Sequence, residues 1–172
     1  MAIVTADIYD TYHAQLRVCE LQFRSYGQHM SFYGECSTLT AYEDHTPVLK
    51  ALSEPGRGRI LIVDGGGSLR IGVMGDRLAA VGAENGWAGL VINGAIRDSL
   101  GVNALPLGVK ALGTTARRGW TPGPSQRDAS VAFGSVRFNP GDWIYADEDC
   151  VLASASPLDL AKLQPTPPTL EE

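Results

Sequence analysis

The sequence predicts a layered α/β sandwich built on a central mixed β-sheet, and three observations carry that reading. The apolar runs Ile60-Leu61-Ile62-Val63 and Gly89-Leu90-Val91-Ile92 bracket a helical stretch from Asp76 to about Asn85, which makes a βαβ unit. The first run is apolar without alternation, as a strand covered on both faces must be. Beyond residue 130 the pattern changes to short β segments separated by turn residues, the signature of antiparallel hairpins.

The elements follow in order. Residues 5–16 (TADIYDTYHAQL) read as a short helix capped by Thr5, with Asp7 in its first turn. Residues 35–42 (ECSTLTAY) are rich in β-formers, and TPVLKALSE from Thr46 reads as a helix with Pro47 in its first turn. Residues 59–67 (RILIVDGGG) form a buried strand that runs into glycines. The helix from Asp76 presents Leu78, Ala79, Val81 and Gly82 as its apolar or small positions, and Gly86 ends it. The next strand ends at Asn93, residues 95–100 read as a short helix, and 105–115 (LPLGVKALGTT) as another strand. Residues 119–128 (GWTPGPSQRD) read as a loop. VAFGSVRF, the Pro140-Gly141 turn, DWIYA and CVLAS then read as consecutive β segments. A short helix is expected at 157–163. With no internal repeat and no linker, one domain is expected over residues 1–164, followed by a flexible tail at 165–172.

The bulk properties narrow the function. The chain has 172 residues, 44% of them hydrophobic and 19% charged, as in an ordinary globular protein with a proper core. The formal net charge is −5 and no basic run exceeds Arg117-Arg118, which argues against direct nucleic-acid binding. Cys19, Cys36 and Cys150 are odd in number and widely spaced, which suits buried reduced thiols rather than a disulfide framework or a zinc site. The amino terminus lacks the basic and apolar regions of a signal peptide, and no stretch is apolar enough to span a membrane. A cytoplasmic protein is expected.

Gly65-Gly66-Gly67-Ser68 after a buried strand invites a nucleotide-loop reading. The spacing refuses it. A GxGxxG pattern counted from Gly65 reaches Arg70, and counted from Gly67 it meets Leu69 at its second glycine. The next strand ends in Asn93 where a ribose contact needs an acid. The glycines instead let the chain turn sharply, with Ser68 and the backbone shaping a neighbouring pocket.

The chemistry is carried by Gly75-Asp76, twenty residues, then Arg97-Asp98. The intervening helix and strand can return the chain to the edge where it began, so Asp76, Arg97 and Asp98 converge. Taken singly, Asp76 suits a helix N-cap and Arg97-Asp98 a solvated ion pair. Each site also follows a buried strand and a turn, where α/β proteins place functional groups. A carboxylate for a divalent metal, a guanidinium for an anionic substrate and a second carboxylate for proton transfer suit carbon–carbon cleavage beside a keto acid.

The stretch GDRLAAVGAENGWAGLVINGAIRD resembles the signature of the RraA-like class II 4-hydroxy-4-methyl-2-oxoglutarate aldolases. LIVDGGGSLR, LGVKALGT and PGDWIYADEDCVLAS are similar to other segments of that family in the same order, so the resemblance runs from about Thr5 to Ser154. It implies an RraA-like sandwich of the swivelling β/β/α type. It also implies a Mg²⁺- or Mn²⁺-dependent aldolase that releases pyruvate through a metal-stabilised enolate, with oxaloacetate decarboxylation as a second activity. On the family's pattern Asp98 is the metal ligand, Arg97 binds the keto-enolate oxygen, and Asp76 moves a proton through a water. The amides of Arg77 and Leu78, beyond Gly75, hold the pyruvyl carboxylate at the helix N-terminus. With no lysine at the motif, a Schiff base is not favoured.

Two positions depart from the family: Gly101 and Gln126 stand where acids are usual, removing groups that could orient metal-bound water. The long C-terminal helix of larger aldolases has no obvious counterpart. The same family includes non-catalytic regulators that bind and inhibit a ribonuclease, and an acidic surface could mimic RNA to a basic partner. A menaquinone methyltransferase, another label in the family, needs a cofactor site that the sequence does not show. The resemblance further implies a homotrimer with its pocket near a subunit boundary, where Trp87, Trp120 or Trp143 could pack if not in the core.

Overall fold

The computed structural model describes residues 2–163. Its first strands are β1 (Leu16–Val18), β2 (Arg24–Tyr26), β3 (Phe32–Ala41), β4 (Ile60–Asp64), β5 (Gly89–Ile96) and β6 (Gly108–Thr114). The later ones are β7 (Ser125–Arg127), β8 (Val131–Phe133), β9 (Val136–Phe138), β10 (Trp143–Ala146) and β11 (Val151–Ser154). The α-helices are α1 (Thr5–Tyr12), α2 (Thr46–Leu52), α3 (Asp76–Glu84) and α4 (Ser99–Val102).

β3 is long enough to serve two neighbourhoods. Its first half pairs antiparallel with β10, from Phe32↔Ala146 to Glu35↔Trp143, and its second half pairs parallel with β4, from Cys36↔Ile60 to Thr40↔Asp64. Parallel pairing continues through β5 and β6, and antiparallel β2 closes that edge. The order is β1-β11-β10-β3-β4-β5-β6-β2, with β7 beside the end of β3 and β8-β9 as a separate hairpin. The result is a mixed α/β fold around a curled central sheet.

Both faces of the parallel strands are covered, as their unbroken apolar runs require. Leu61, Val63, Leu90 and Ile92 pack with Val48, Ala51 and Leu52 of α2 and Ala79 of α3. Ile60, Ile62 and Val91 face the other way, into a cluster with Phe133, Phe138, Ile144 and Val151. Helices therefore cover one face and a second β layer the other. Outside that layer α1 packs Ile8 with Tyr145 and Leu152. The β8-β9 turn uses Gly134 and Ser135, both with positive φ (58° and 64°), which matches the twist of a tight hairpin. α3 ends in a Schellman motif: Trp87 N donates to Gly82 O and Gly86 N to Ala83 O, with Gly86 at φ 81°.

Several expectations need correction. Thr5 does not cap α1; Val4 holds that position without a side-chain cap. Thr5 instead donates through its amide and Oγ1 to the carboxylate of Asp147, at 2.7 and 2.8 Å. A buried acid from the β10-β11 turn thus serves the helix start from 142 residues away. The helix also stops before residue 16: a 3-10 turn (His13–Gln15) follows α1, because Leu16 already pairs with β11. β5 does not end at Asn93. A bulge between Ile92 and Ala95 lets pairing resume with Gly113 and Thr114, so the strand reaches Ile96 and α4 begins only at Ser99. The loop at 119–128 contains β7, and the helix expected at 157–163 is a 3-10 turn over Leu160–Lys162. The tail at 165–172 lies outside the described residues.

Trp87 is buried and donates from Nε1 to Glu54 O, Trp143 packs partly covered around α1, and Trp120 is exposed. The three cysteines are free, Cys19 and Cys36 buried. Among the described residues no helix is long and apolar enough to cross a membrane.

Candidate active site

The site forms where residues 71–75 run beside the end of β5. Gly72 makes a parallel bridge to Ala95, Val73 N donates to Ala95 O at 3.0 Å, and Arg97 N donates to Met74 O at 2.8 Å. α3 starts immediately afterwards, so its first turn faces the residues that leave β5. The twenty-residue excursion therefore returns to its starting edge. A cavity of about 500 Å³ opens there. Gly75, Asp76, Arg77, Leu78, Arg97 and Asp98 all line it, joined by Gly72, His45 and Arg118.

Two glycines permit the close packing of the motif. A Cβ on Gly72 would lie 2.4 Å from Arg97 Cγ, and one on Gly75 would lie 2.6 Å from Asp98 Oδ2. Any larger residue at either position would displace the Arg97 stem or the Asp98 carboxylate. Asp98 itself adopts the left-handed conformation (φ 56°, ψ 43°), which an aspartate tolerates better than most residues and which turns the chain from β5 into α4. Its side chain caps nothing.

Arg97 and Asp98 are not a tight surface pair. Arg97 Nε lies 3.9 Å from Asp98 Oδ2, beyond hydrogen-bond length, and the side chains keep 31% and 48% of their exposure. Arg97 Nε is nevertheless buried and has no hydrogen-bond acceptor among the described residues. An unpaired buried donor costs free energy, while other atoms of the half-exposed Arg97 side chain line the cavity. Asp76 is not the N-cap either. Gly75 occupies that position and Asp76 is the first helical residue, with its carboxylate making no cap bond. The amides at the start of α3 therefore have no side-chain acceptor, and the residues that carry them, Asp76, Arg77 and Leu78, line the cavity.

The donor set fits a hard divalent cation held sparsely. Among the described residues no three His, Cys, Asp or Glu side chains gather around one point. An ion on Asp98 would complete its shell with water and substrate oxygens, as Mg²⁺ commonly does. No lysine lines the cavity. Lys110 is buried between β6 and β2, where Nζ donates to Ser25 Oγ and burial lowers its pKa.

Other expected groups lie elsewhere. Ser68 does not line the cavity: its Oγ donates to Glu43 Oε1, and Arg70 clasps the same carboxylate at 3.0 and 2.7 Å. The glycine-rich turn is internally satisfied, since Gly65 N and Gly67 N donate to Asn93 O and Gly66 N to Asp64 Oδ1. Those amides are unavailable to a cofactor phosphate. Gln126 sits in β7 opposite Thr40, away from the cavity. His45 and Arg118 escaped the sequence reading because they come from separate elements with no fixed spacing. The one available signal was Arg118 two residues before a tryptophan in a Gly- and Pro-rich loop.

The chain is similar to known proteins along most of its length. The RraA-like family model (Aldolase/RraA) matches residues 5–153. A Laribacter hongkongensis protein named "Putative 4-hydroxy-4-methyl-2-oxoglutarate aldolase" is 46% identical, covering 92% of this chain and 99% of its own length. Among solved structures, a Geobacillus kaustophilus protein described as an S-adenosylmethionine: 2-dimethylmenaquinone methyltransferase superposes with TM-score 0.89 at 43% identity, over 93% of this chain and 99% of that one. The "RNA-processing inhibitor RraA" of Thermus thermophilis gives 0.88 at 36% identity, over 94% and 98%. Matched along nearly its whole described length, in sequence and in fold, the chain belongs to the RraA-like family.

Proposed function

We propose that the chain is a divalent-metal-dependent lyase that cleaves 4-hydroxy-4-methyl-2-oxoglutarate, or a related 4-hydroxy-2-oxo acid, to pyruvate. Oxaloacetate decarboxylation is the expected side activity. The observation that carries the reading is the meeting of Asp98, Arg97, Asp76 and the first turn of α3 on one cavity, with Arg97 Nε buried and unpaired.

In this reading the α3 amides hold the pyruvyl carboxylate and Arg97 donates to the 2-oxo oxygen, where negative charge grows as the bond breaks. Asp98 would hold Mg²⁺ or Mn²⁺, whose bound form supplies Lewis-acid stabilisation of that charge. Asp76 accepts the 4-hydroxyl proton through a water. The C3–C4 bond then breaks, C4 becomes a carbonyl, and the electron pair enters the C2–C3 enolate of pyruvate. Protonation at C3 completes the product. Oxaloacetate loses CO₂ to reach the same enolate.

Asp98→Ala is expected to abolish metal-dependent turnover with the fold retained, and Arg97→Ala to lower it by about 10²–10³-fold, the usual cost of a lost oxyanion donor. An unchanged rate in either variant overturns the site assignment. Assembly as a homotrimer belongs to the same proposal.

The likeness to the Thermus RNA-processing inhibitor favours a second reading, a regulator that binds an RNA-degrading enzyme without catalysis. Capture of a ribonuclease by both the wild type and Asp98→Ala, with no turnover by either, supports that role.

A further inference from the structure

We propose that Arg118 and His45 form a second anion-binding subsite in the same cavity, which takes the distal carboxylate of a dicarboxylic 2-oxo acid. The proposal rests on the cavity being a 2-oxo acid site and adds the part of the substrate that the motif residues leave unassigned.

The placement is fixed by Gly72, which bridges in parallel to Ala95 on one side and to Arg118 on the other. Adjacent paired backbones lie about 4.8 Å apart, so Arg118 stands about 10 Å across the sheet edge from Ala95. Arg97 and the start of α3 take one end of the cavity, and Arg118 is on the wall beyond Gly72. A three-carbon acid held at the first end leaves most of the roughly 500 Å³ unfilled.

The chemistry of that wall suits a carboxylate. The Arg118 guanidinium lies 4.7 Å from the centre of the Trp120 ring, and no hydrogen bond or ion pair engages it among the described residues. Stacking on the ring orients the planar fork without consuming its donors, which match a carboxylate bidentately. His45 adds an imidazole, which donates a hydrogen bond in either protonation state.

The two residues share one frame. Asp44, next to His45, accepts from Thr46 N at 2.9 Å and from Gly123 N at 3.1 Å, tying the start of α2 to the loop that carries Arg118. Gly119 lies so close to Glu43 O that a Cβ would approach to 2.4 Å. Gly72 N also donates to Arg117 O at 3.0 Å.

Charge points the same way. Three arginines, Arg77, Arg97 and Arg118, line the cavity with two aspartates, Asp76 and Asp98, and a divalent ion would add to the positive excess. A dianion balances that field better than a monoanion.

The test is calorimetric titration of the full chain, with Mg²⁺ present, using 2-oxoglutarate and 2-oxopentanoate. These differ by a terminal carboxylate against a methyl, and neither has a 4-hydroxyl to be cleaved. The wild type is expected to bind 2-oxoglutarate at least about tenfold more tightly, the scale of one charge-assisted carboxylate contact. Arg118→Gln should bring the two affinities within about twofold of each other, and His45→Ala should narrow the gap in part. Equal affinities in the wild type, or a preference that survives in Arg118→Gln, overturn the subsite alone. Binding of neither acid overturns the 2-oxo acid reading and the subsite together.

Discussion

Gly101 stands three residues after Asp98, where the resembled family commonly has an acid, and the structure gives the glycine a positive role. A Cβ there would lie 2.5 Å from Asp76 Oδ2 and 2.7 Å from Asp76 Cβ, so the missing side chain is the space that Asp76 occupies. Gly101→Ala should push the Asp76 carboxylate aside and lower kcat by about tenfold with KM little changed, because small displacements of a proton-transfer group are costly. Steady-state kinetics check this. An unchanged kcat would show that Asp76 moves freely or takes no part. At this scale the motif residues were legible because the proposed chemistry needs their types at that spacing. Whether Asp76 caps the helix and Arg97-Asp98 form a close ion pair was not legible, and the structure shows neither a cap bond nor a tight pair. His45 and Arg118 were illegible, since three-dimensional pairing alone brings them to the cavity.

Among the elements, those with a strong internal pattern were readable: α2 with its early proline, α3 with its glycine stop, and β4 with its unbroken apolar run. The three-residue strands β1, β2 and β7 have no such pattern and exist because β11, β6 and β3 offer edges to pair with. The start of α1 was misread for a related reason, as its acceptor is the distant Asp147. That carboxylate also accepts from the amides of Asp149 and Cys150. Asp147→Ala should therefore lower stability by about 2–4 kcal/mol, since several buried donors lose their partner together. Chemical denaturation checks this, and a loss below 0.5 kcal/mol, a threshold of about the effect of an ordinary surface change, would refute it.

Asp44 gives the loop–helix junction a pH dependence. Burial alone would raise its pKa, but the amides of Thr46 and Gly123 outweigh burial and hold it below the usual aspartate value. A depressed folded-state pKa stabilises the fold above the unfolded value of about 3.9, and that contribution is lost as pH falls through the folded value. Asp44→Asn should lower Tm at pH 7 and flatten its fall below about pH 4. A parallel downward shift at every pH would assign the loss to something other than ionisation.

For the whole molecule, the predicted mixed sandwich is the observed one, and its layering explains where chemistry sits. Helices cover one face and a second β layer the other, and the cavity opens at the end of β5, the kind of strand end where ligands bind in α/β sheets. The long β3 that serves both β layers was not readable, because only half of it carries a pattern of its own.

The most direct measurement is pyruvate release from 4-hydroxy-4-methyl-2-oxoglutarate by the full chain, with Mg²⁺ or Mn²⁺ and then with EDTA. Oxaloacetate serves as the second substrate, with the metal-only rate subtracted because free ions decarboxylate it. Protein-dependent release that EDTA stops and added metal restores is the expected result. No release above the control from either substrate would contradict the lyase assignment and leave the regulator as the function to pursue.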